Sequence, residues 1–181
     1  MALTATVHRL GITLSDVDRG VYESLDLRMA RHPSESPRYF WLRTLAYCLS
    51  YEEGIAFSKG GLSASDEPPV AIHDPTGVFL AWIDVGAPSA DRLHRASKAA
   101  RRVALFTATE QVLLEREAAT RKIHAVEEIV VHRFETSFLD SLEQHLEKHL
   151  KLELVRNTGT LYVTLPKGML EGVVTEARLA S

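Results

Sequence analysis

The sequence predicts a mixed α/β fold in which helices flank a β-sheet, and three stretches of the chain carry that prediction. Residues 21–31 alternate apolar and polar side chains, which is typical of a half-buried strand. Residues 78–85 are nearly all apolar, and a helical pattern over 89–102 separates them from the apolar run 103–106. Asn157-Thr158-Gly159 lies between two further strand-like runs and predicts a hairpin.

The N-terminal half of the chain is predicted to alternate strands and helices. A strand over 4–14 forms a hairpin with 21–31, and Ser36-Pro37 then begins a helix that ends near Glu53 and Gly54. Three short strands follow as an antiparallel meander: 55–58, 69–73 and 78–85. The helix over 89–102 then leads into the strand 103–106.

The C-terminal half is predicted to add two helices and several strands. Thr107-x-x-Glu110 is a capping-box pattern that begins a helix running to about Lys122. A strand over 127–134 precedes an amphipathic helix over 136–150, whose apolar residues recur at every fourth position. The last strands are expected at 151–156, 160–165 and 173–179, joining the N-terminal hairpin in one sheet.

Composition indicates an ordinary globular protein with one domain over residues 1–181. The formal charge is −3, which does not demand a nucleic-acid partner. Cys48 is the single cysteine, so an internal disulfide is excluded and a reducing compartment is favoured. Because the N-terminus lacks a long apolar run and no segment is long enough to span a bilayer, we expect a cytoplasmic protein without a membrane partner.

Three acidic residues are expected to meet at one end of the meander. Asp66 and Glu67 come directly before one strand, and Asp84 ends the next, which runs back antiparallel to it. Carboxylates held close together need a counter-charge, and Mg²⁺ is a hard cation that prefers such oxygen ligands. The sequence therefore predicts a magnesium site formed by Asp66, Glu67 and Asp84.

A structural alternative exists for each of these acids. Asp66 and Glu67, which precede Pro68, could belong to a solvated loop. Asp84 follows Trp82 and Ile83 on a strand that is expected to be buried, and a buried acid requires a partner. Asp84 is therefore the acid that most needs a functional or structural explanation.

Four segments of the chain also carry a resemblance to known proteins. They are Ala30-Arg31-His32-Pro33-Ser34-Glu35, Ser65-Asp66-Glu67-Pro68, Trp82-Ile83-Asp84-Val85-Gly86 and Arg92-Leu93-His94-Arg95-Ala96-Ser97-Lys98-Ala99-Ala100. Over its whole length the chain resembles the YaeQ family of bacterial proteins, and it is similar to the PD-(D/E)XK nuclease superfamily. The resemblance implies a restriction-endonuclease-like core, at about residues 34–107, with extra N- and C-terminal strands.

The resemblance also implies roles for individual residues. Asp66 or Glu67 takes the position of the first superfamily acid and Asp84 that of the second, while Glu35 matches an additional acid on the preceding helix. The superfamily lysine, two positions after the second acid, is replaced by Gly86. Lys98 is the expected substitute and Lys59 the alternative. Lys98 could equally belong to a solvated helix face, and Glu35 could be a first-turn acid favoured by the helix dipole.

Two functions follow from these residues. The first is a Mg²⁺-dependent nucleic-acid phosphodiesterase in which Asp84, Lys98 and Glu35 are catalytic. The second is a nuclease-like scaffold that no longer cleaves and binds protein or nucleic acid. The acid cluster favours the first, whereas Gly86 and the acidic net charge favour the second. The basic residues between Arg92 and Arg102 offer the best surface for nucleic acid, although they could also form an ordinary exposed helix face.

Overall fold

The computed structural model describes residues 4–60 and 65–179 of the chain. Its strands in chain order are β1 (Thr6–Asp16), β2 (Val21–Arg31), β3 (Ile55–Phe57), β4 (Val70–His73), β5 (Phe79–Val85), β6 (Arg102–Thr107), β7 (Val130–Phe134), β8 (His149–Asn157), β9 (Thr160–Leu165) and β10 (Gly168–Arg178). Its α-helices are α1 (Pro37–Leu49), α2 (Ala90–Ala99), α3 (Gln111–Ala118) and α4 (Thr136–Glu143), and a 3-10 helix spans Val126–Glu128.

The chain forms two compact units. The first contains the residues up to Trp41 together with Phe134–Val174, and the second contains Leu42–Arg133 with the residues from Thr175 onward. The boundaries fall inside α1, inside β7 and inside β10. This division into units does not test the predicted single domain over residues 1–181, which stays a prediction.

The first unit is built on a sheet in the order β2-β1-β8-β9-β10. β1 and β2 pair antiparallel from Thr6↔Arg31 to Asp16↔Val21, and β8 lies parallel to β1 on the other side. One face carries buried leucines at alternate positions of β8, and α4 contributes Phe138. A Cβ at Gly172 would lie 2.4 Å from the Phe138 ring, so only glycine allows this close packing. The predicted joining of the N-terminal hairpin to the C-terminal strands is confirmed.

The second unit positions the candidate site. β3, β4 and β5 pair antiparallel as the predicted meander, and β5 lies parallel to β6 with α2 between them in the chain. The buried side of α2 presents Ala90, Leu93 and Ala96 to a core that includes Trp82 and Leu105. Every described residue of β5 from Ala81 to Val85 is buried, so α2 and the end of β5 are held together by apolar packing.

Several predicted elements are wrong in extent. The helix expected over 136–150 ends at Glu143, because Leu150 also fits the period-two pattern that places Leu150, Leu152 and Leu154 on the buried face of β8. The helix expected to reach Glu53 ends at Leu49, and the helix expected to reach Lys122 is the shorter α3. Within the described part of the chain, no helix is both long and apolar enough to cross a membrane.

The capping box predicted at Thr107 is also wrong. Thr107 is the last residue of β6 and is fully buried, and its hydroxyl accepts a hydrogen bond from the Thr109 N–H at 2.9 Å. Glu110 is the residue that precedes the first turn of α3, and its side chain makes no capping hydrogen bond. The Thr107 hydroxyl therefore turns the chain out of the strand before the helix begins.

Candidate functional site at the end of β5

Asp84 is a buried carboxylate at the end of β5. Its residue is 2% exposed, and both of its oxygens accept hydrogen bonds. Oδ1 accepts the backbone N–H of Val85 at 3.2 Å, and Oδ2 accepts the indole N–H of Trp82 at 3.2 Å. Neutral donors alone do not compensate a buried negative charge, so Asp84 requires a cation.

The cation on Asp84 is the guanidinium of Arg92. Its Nε donates to Asp84 Oδ2 at 2.6 Å. Its two terminal nitrogens donate to backbone carbonyl oxygens of the segment before β4: one to Ser65 at 2.7 Å and the other to Glu67 at 2.9 Å. One side chain therefore neutralises the buried acid and fixes the segment that carries the other two predicted acids.

Local structure holds Arg92 in this position. Arg92 lies in the first turn of α2, where its backbone N–H donates to the side chain of the N-cap residue Ser89 at 3.2 Å. Its guanidinium carbon lies 5.5 Å from the centre of the Trp82 ring, within the range of a cation–π contact. Glu117 of α3 accepts the Ala90 N–H at 3.0 Å, which satisfies a further donor at the start of α2.

Asp66 and Glu67 are exposed, and their carboxylates have other partners. Asp66 Oδ1 accepts a hydrogen bond from Arg95 of α2 at 2.9 Å. The Asp66 side chain is 84% exposed and the Arg95 side chain is 54% exposed. Glu67 Oε2 accepts the hydroxyl of Ser58 at 2.8 Å. Residues 61–64 lie outside the described part of the chain. The structure thus brings the backbone of 65–67 to Arg92 while the two side chains bind elsewhere.

The residues present do not fit a cation held jointly by Asp66, Glu67 and Asp84. Over residues 4–60 and 65–179 there is no group of three His, Cys, Asp or Glu side chains arranged to hold a metal ion. The Asp84 oxygens are occupied by three donors, and the strongest of them already carries a positive charge. The magnesium site stays a prediction. A magnesium ion would compete with the Arg92 guanidinium for the Asp84 carboxylate.

Gly86 stands where the resemblance implies a lysine, and Lys98 and Lys59 are the two expected substitutes. Gly86 has φ +81°, a left-handed backbone conformation that a lysine would adopt only with strain. Lys98 lies exposed in the last turn of α2, and Lys59 is exposed just after β3. Within the described residues neither lysine has an ion-pair partner. Their catalytic roles stay predictions.

Glu35 belongs to the first unit and is 3% exposed. Its Oε2 accepts the backbone N–H of His32 at 3.3 Å, and its carbonyl oxygen accepts Nε of Arg31 at 3.1 Å. These bonds hold the turn between β2 and α1. The role of Glu35 as an additional acid of the site stays a prediction.

Arg92 is the partner of Asp84 that the sequence does not predict. The need of Asp84 for a partner was clear from the apolar strand around it, and Arg92 was visible only as one member of a basic helix. Its place in the first turn after Ser89 was the available signal, because long helical side chains lean toward the N-terminus of their helix. The resemblance instead favours Lys98, because it implies a lysine near the second acid.

Comparison with known proteins places the chain in a family. The family model described as "YaeQ protein" matches residues 1–173. The chain belongs to the YaeQ family. It is 39% identical to the uncharacterized protein YaeQ of Escherichia coli K12 over 108 residues, which are 59% of this chain and 59% of that protein. The matched part thus spans about 59% of the length of that curated relative.

Two solved YaeQ structures share the fold over nearly the whole chain. The crystal structure of YaeQ from Pseudomonas syringae has 31% sequence identity and a TM-score of 0.86, with 98% of this chain and 97% of that chain covered. The YaeQ structure from Xanthomonas axonopodis pv. citri has 25% identity and a TM-score of 0.87, with 98% and 100% covered. The mixed sheets and helices described above are therefore the YaeQ fold.

Proposed function

We propose that this YaeQ-family chain is a nuclease-like scaffold, built on a restriction-endonuclease-like core, that binds nucleic acid without cleaving it. The observation that carries the proposal is the ion pair between Arg92 and Asp84 at 2.6 Å. Asp84 occupies the position of a superfamily metal ligand, and the guanidinium supplies there the positive charge that a metal ion would supply. A metal ion would have to displace a bound cation to reach this carboxylate.

Exposed cations on α2 and directly after it support the binding part of the proposal. We define the basic face as Arg95 and Lys98 of α2 together with Arg101 and Arg102, which follow the helix; all four are exposed. Arg95 and Arg102 are paired with Asp66 and Glu52, but exposed ion pairs contribute little free energy and are screened by salt. Phosphate groups can therefore replace these carboxylates at little cost, and the resulting binding is strongly salt-dependent.

The binding experiment uses fluorescence anisotropy with labelled single- and double-stranded DNA and RNA oligonucleotides in EDTA at low salt. The double variant Arg95→Ala/Lys98→Ala should bind more weakly, and its slope of log affinity against log salt should fall by about two. The matched control is Arg116→Ala/Lys122→Ala, which removes two exposed cations from α3 and the residues after it. Equal losses in both double variants, or no binding by the native protein, would contradict the proposed binding face.

A second candidate, a metal-dependent phosphodiesterase, is favoured by one further observation. Asp84 Oδ2 and the carbonyl oxygens of Ser65 and Glu67 all converge on the Arg92 guanidinium. Carboxylate and carbonyl oxygens are also the ligands that hard divalent cations prefer. A cleavage assay with Mg²⁺ or Mn²⁺ distinguishes the two candidates. Metal-dependent cleavage that Asp84→Asn abolishes supports the phosphodiesterase. Absence of cleavage by the native protein supports the scaffold.

A further inference from the structure

Three aromatic rings of the second unit form a row that starts beneath α2. The ring centres of His73 and Phe79 lie 4.5 Å apart, and those of Phe79 and Trp82 lie 5.8 Å apart. Trp82 is buried, whereas His73 and Phe79 are half-buried. The aromatic row therefore begins in the core and ends at two rings that are partly open to solvent.

An irregularity in the sheet brings the Phe79 ring into this row. The antiparallel ladder of β4 and β5 shifts register after Ile72, and the pair that follows is His73↔Phe79, which skips Leu80. Because side chains alternate between the two faces of a regular strand, Phe79 and Trp82 would otherwise point to opposite faces. The bulge re-aims Phe79, so its ring lies on the same face as the Trp82 ring.

α2 runs back along β5 beside the aromatic row. At the start of the helix, the guanidinium carbon of Arg92 lies 5.5 Å from the centre of the Trp82 ring. Just after the end of the helix, the backbone N–H of Arg101 donates to the carbonyl oxygen of Phe79 at 3.4 Å. The helix and the aromatic row therefore lie side by side over the length of α2.

Cations of the basic face follow the same course. Arg95 and Lys98 lie on α2 between those two contacts, and Arg101 begins directly beside Phe79. All three cations are exposed. Positive charges and partly open aromatic rings thus share one strip of the surface.

This combination fits a single strand of nucleic acid better than a duplex. Proteins that bind single strands combine cations that follow the phosphates with aromatic side chains on which bases stack. Inside a duplex each base face is covered by its neighbours, so rings such as those of His73 and Phe79 cannot reach it. Every base has a flat aromatic face, so stacking alone gives little sequence preference.

We infer that the basic face and the rings of His73 and Phe79 form a binding site for single-stranded nucleic acid, in which an unpaired base stacks on Phe79. The adjoining phosphates contact Lys98 and Arg101. The inference rests on the proposed function, because it names the class of nucleic acid that the basic face binds. It adds a contact that the proposed function does not require, namely that between a base and the aromatic row.

Fluorescence anisotropy of the native protein with three labelled DNA probes tests the inference, in EDTA at low salt. The probes are a single strand of about 12 nucleotides, its blunt-ended duplex, and a single strand of the same length with abasic sites in place of its central bases. The intact single strand should bind about tenfold more tightly than the abasic strand, which carries the same phosphates but lacks those bases. It should also bind more tightly than the duplex, although the duplex has the higher charge density.

A pair of variants tests the role of the ring itself. Phe79→Leu keeps an apolar side chain but removes the ring, so it should weaken binding of the intact single strand about tenfold. Its slope of log affinity against log salt should stay native, because no phosphate contact is lost. Phe57→Leu is the matched control, since Phe57 is also half-buried in this unit but stacks on Tyr47 of α1 at 4.6 Å. Phe57→Leu should bind like the native protein.

The outcomes distinguish this inference from the proposed function. A native protein that binds no nucleic acid would overturn both. Binding that depends on Arg95 and Lys98 but is equal for the intact and abasic strands would overturn the inference and leave the proposed function standing. A Phe79→Leu protein that is folded by circular dichroism and binds like the native protein would do the same. If Phe79→Leu does not fold, the comparison of intact and abasic strands on the native protein decides alone.

Discussion

Nε of Arg92 lies 2.6 Å from Oδ2 of Asp84, and the Asp84 side chain is 3% exposed. The same guanidinium also binds the carbonyl oxygens of Ser65 and Glu67, so it joins β5, α2 and the segment before β4. A buried acid that the sequence presents as a metal ligand thus has a charged partner from its own chain. Arg92 is therefore expected to be central to the stability of this unit.

Arg92→Ala should destabilise the protein strongly. The substitution leaves the buried Asp84 carboxylate without a charge partner, a loss that costs about 3 kcal/mol in comparable buried pairs. Arg95→Ala is the matched control, one turn along the same helix, and it breaks only the exposed pair with Asp66. That change should cost less than about 1 kcal/mol. Urea unfolding at pH 7 measures both values.

A double-mutant cycle separates the charge from the packing of the arginine side chain. Asp84→Asn in the Arg92→Ala background removes the unpaired charge and should recover part of the lost free energy of unfolding. Equal costs for Arg92→Ala and Arg95→Ala would show that the pair at Asp84 is not the dominant contact.

Gly86→Lys should not confer nuclease activity. Gly86 has φ +81°, and a side chain there is strained even though no other atom lies within 4 Å of its Cβ position. The expected cost is about 1 kcal/mol in unfolding free energy. Gly86→Ala should cost about the same, because the strain is in the backbone. A lysine variant as stable as the native protein, or one that cleaves DNA with Mg²⁺, would contradict this explanation.

Asp18 should make the free energy of unfolding decrease at acidic pH. The backbone N–H groups of Gly159 and Thr158 donate to its carboxylate at 2.9 and 2.6 Å and lower its pKa from the ordinary value of 3.8. Because the folded-state pKa lies below the unfolded value, the stabilisation is present above about pH 4 and is lost as the pH falls through the folded pKa. Asp18→Asn should therefore be less stable than the native protein at pH 6.

The difference between native protein and Asp18→Asn should shrink as the pH falls from about 5 toward 2, in chemical unfolding measured at each pH. Asp140→Asn, an exposed acid in the same unit whose partner is Arg38, is the comparison variant. A pH-independent difference for Asp18→Asn would mean that the hydrogen bonds to the hairpin do not favour the charged form.

Cys48 should be unreactive in the folded protein. It is fully buried on α1, and burial raises the pKa of its thiol to about 12. Since the thiolate is the reactive form, a disulfide reagent such as DTNB should modify it only after unfolding in urea. Complete reaction within seconds under native conditions would indicate that α1 opens readily.

The sequence predicts the arrangement of the strands better than the chemistry of the site. The meander through β5 and the parallel step to β6 follow from apolar runs and turn residues, which are local features. The burial of Asp84 follows from the strand around it. The identity of its partner does not, because Arg92 reaches Asp84 only through the packing of Leu93 and Ala96 against the core.

Where two patterns overlap, the sequence prediction fails. Leu150 continues the spacing of Phe138 and Leu142 and also begins the alternation of β8. β8 pairs with β1 from Arg9↔His149 onward, and this pairing makes Leu150 part of a strand instead of a helix. A local sequence pattern does not show such a long-range contact.

Calorimetric titration of Mn²⁺ into the native protein and into Asp84→Asn tests the central claim most directly, with circular dichroism as the fold control. If the Arg92 guanidinium is the resident cation of Asp84, the two proteins should give the same weak, unsaturable heats. Saturable Mn²⁺ binding by the native protein that folded Asp84→Asn lacks would contradict the account, since it would place a metal ion where we assign an arginine.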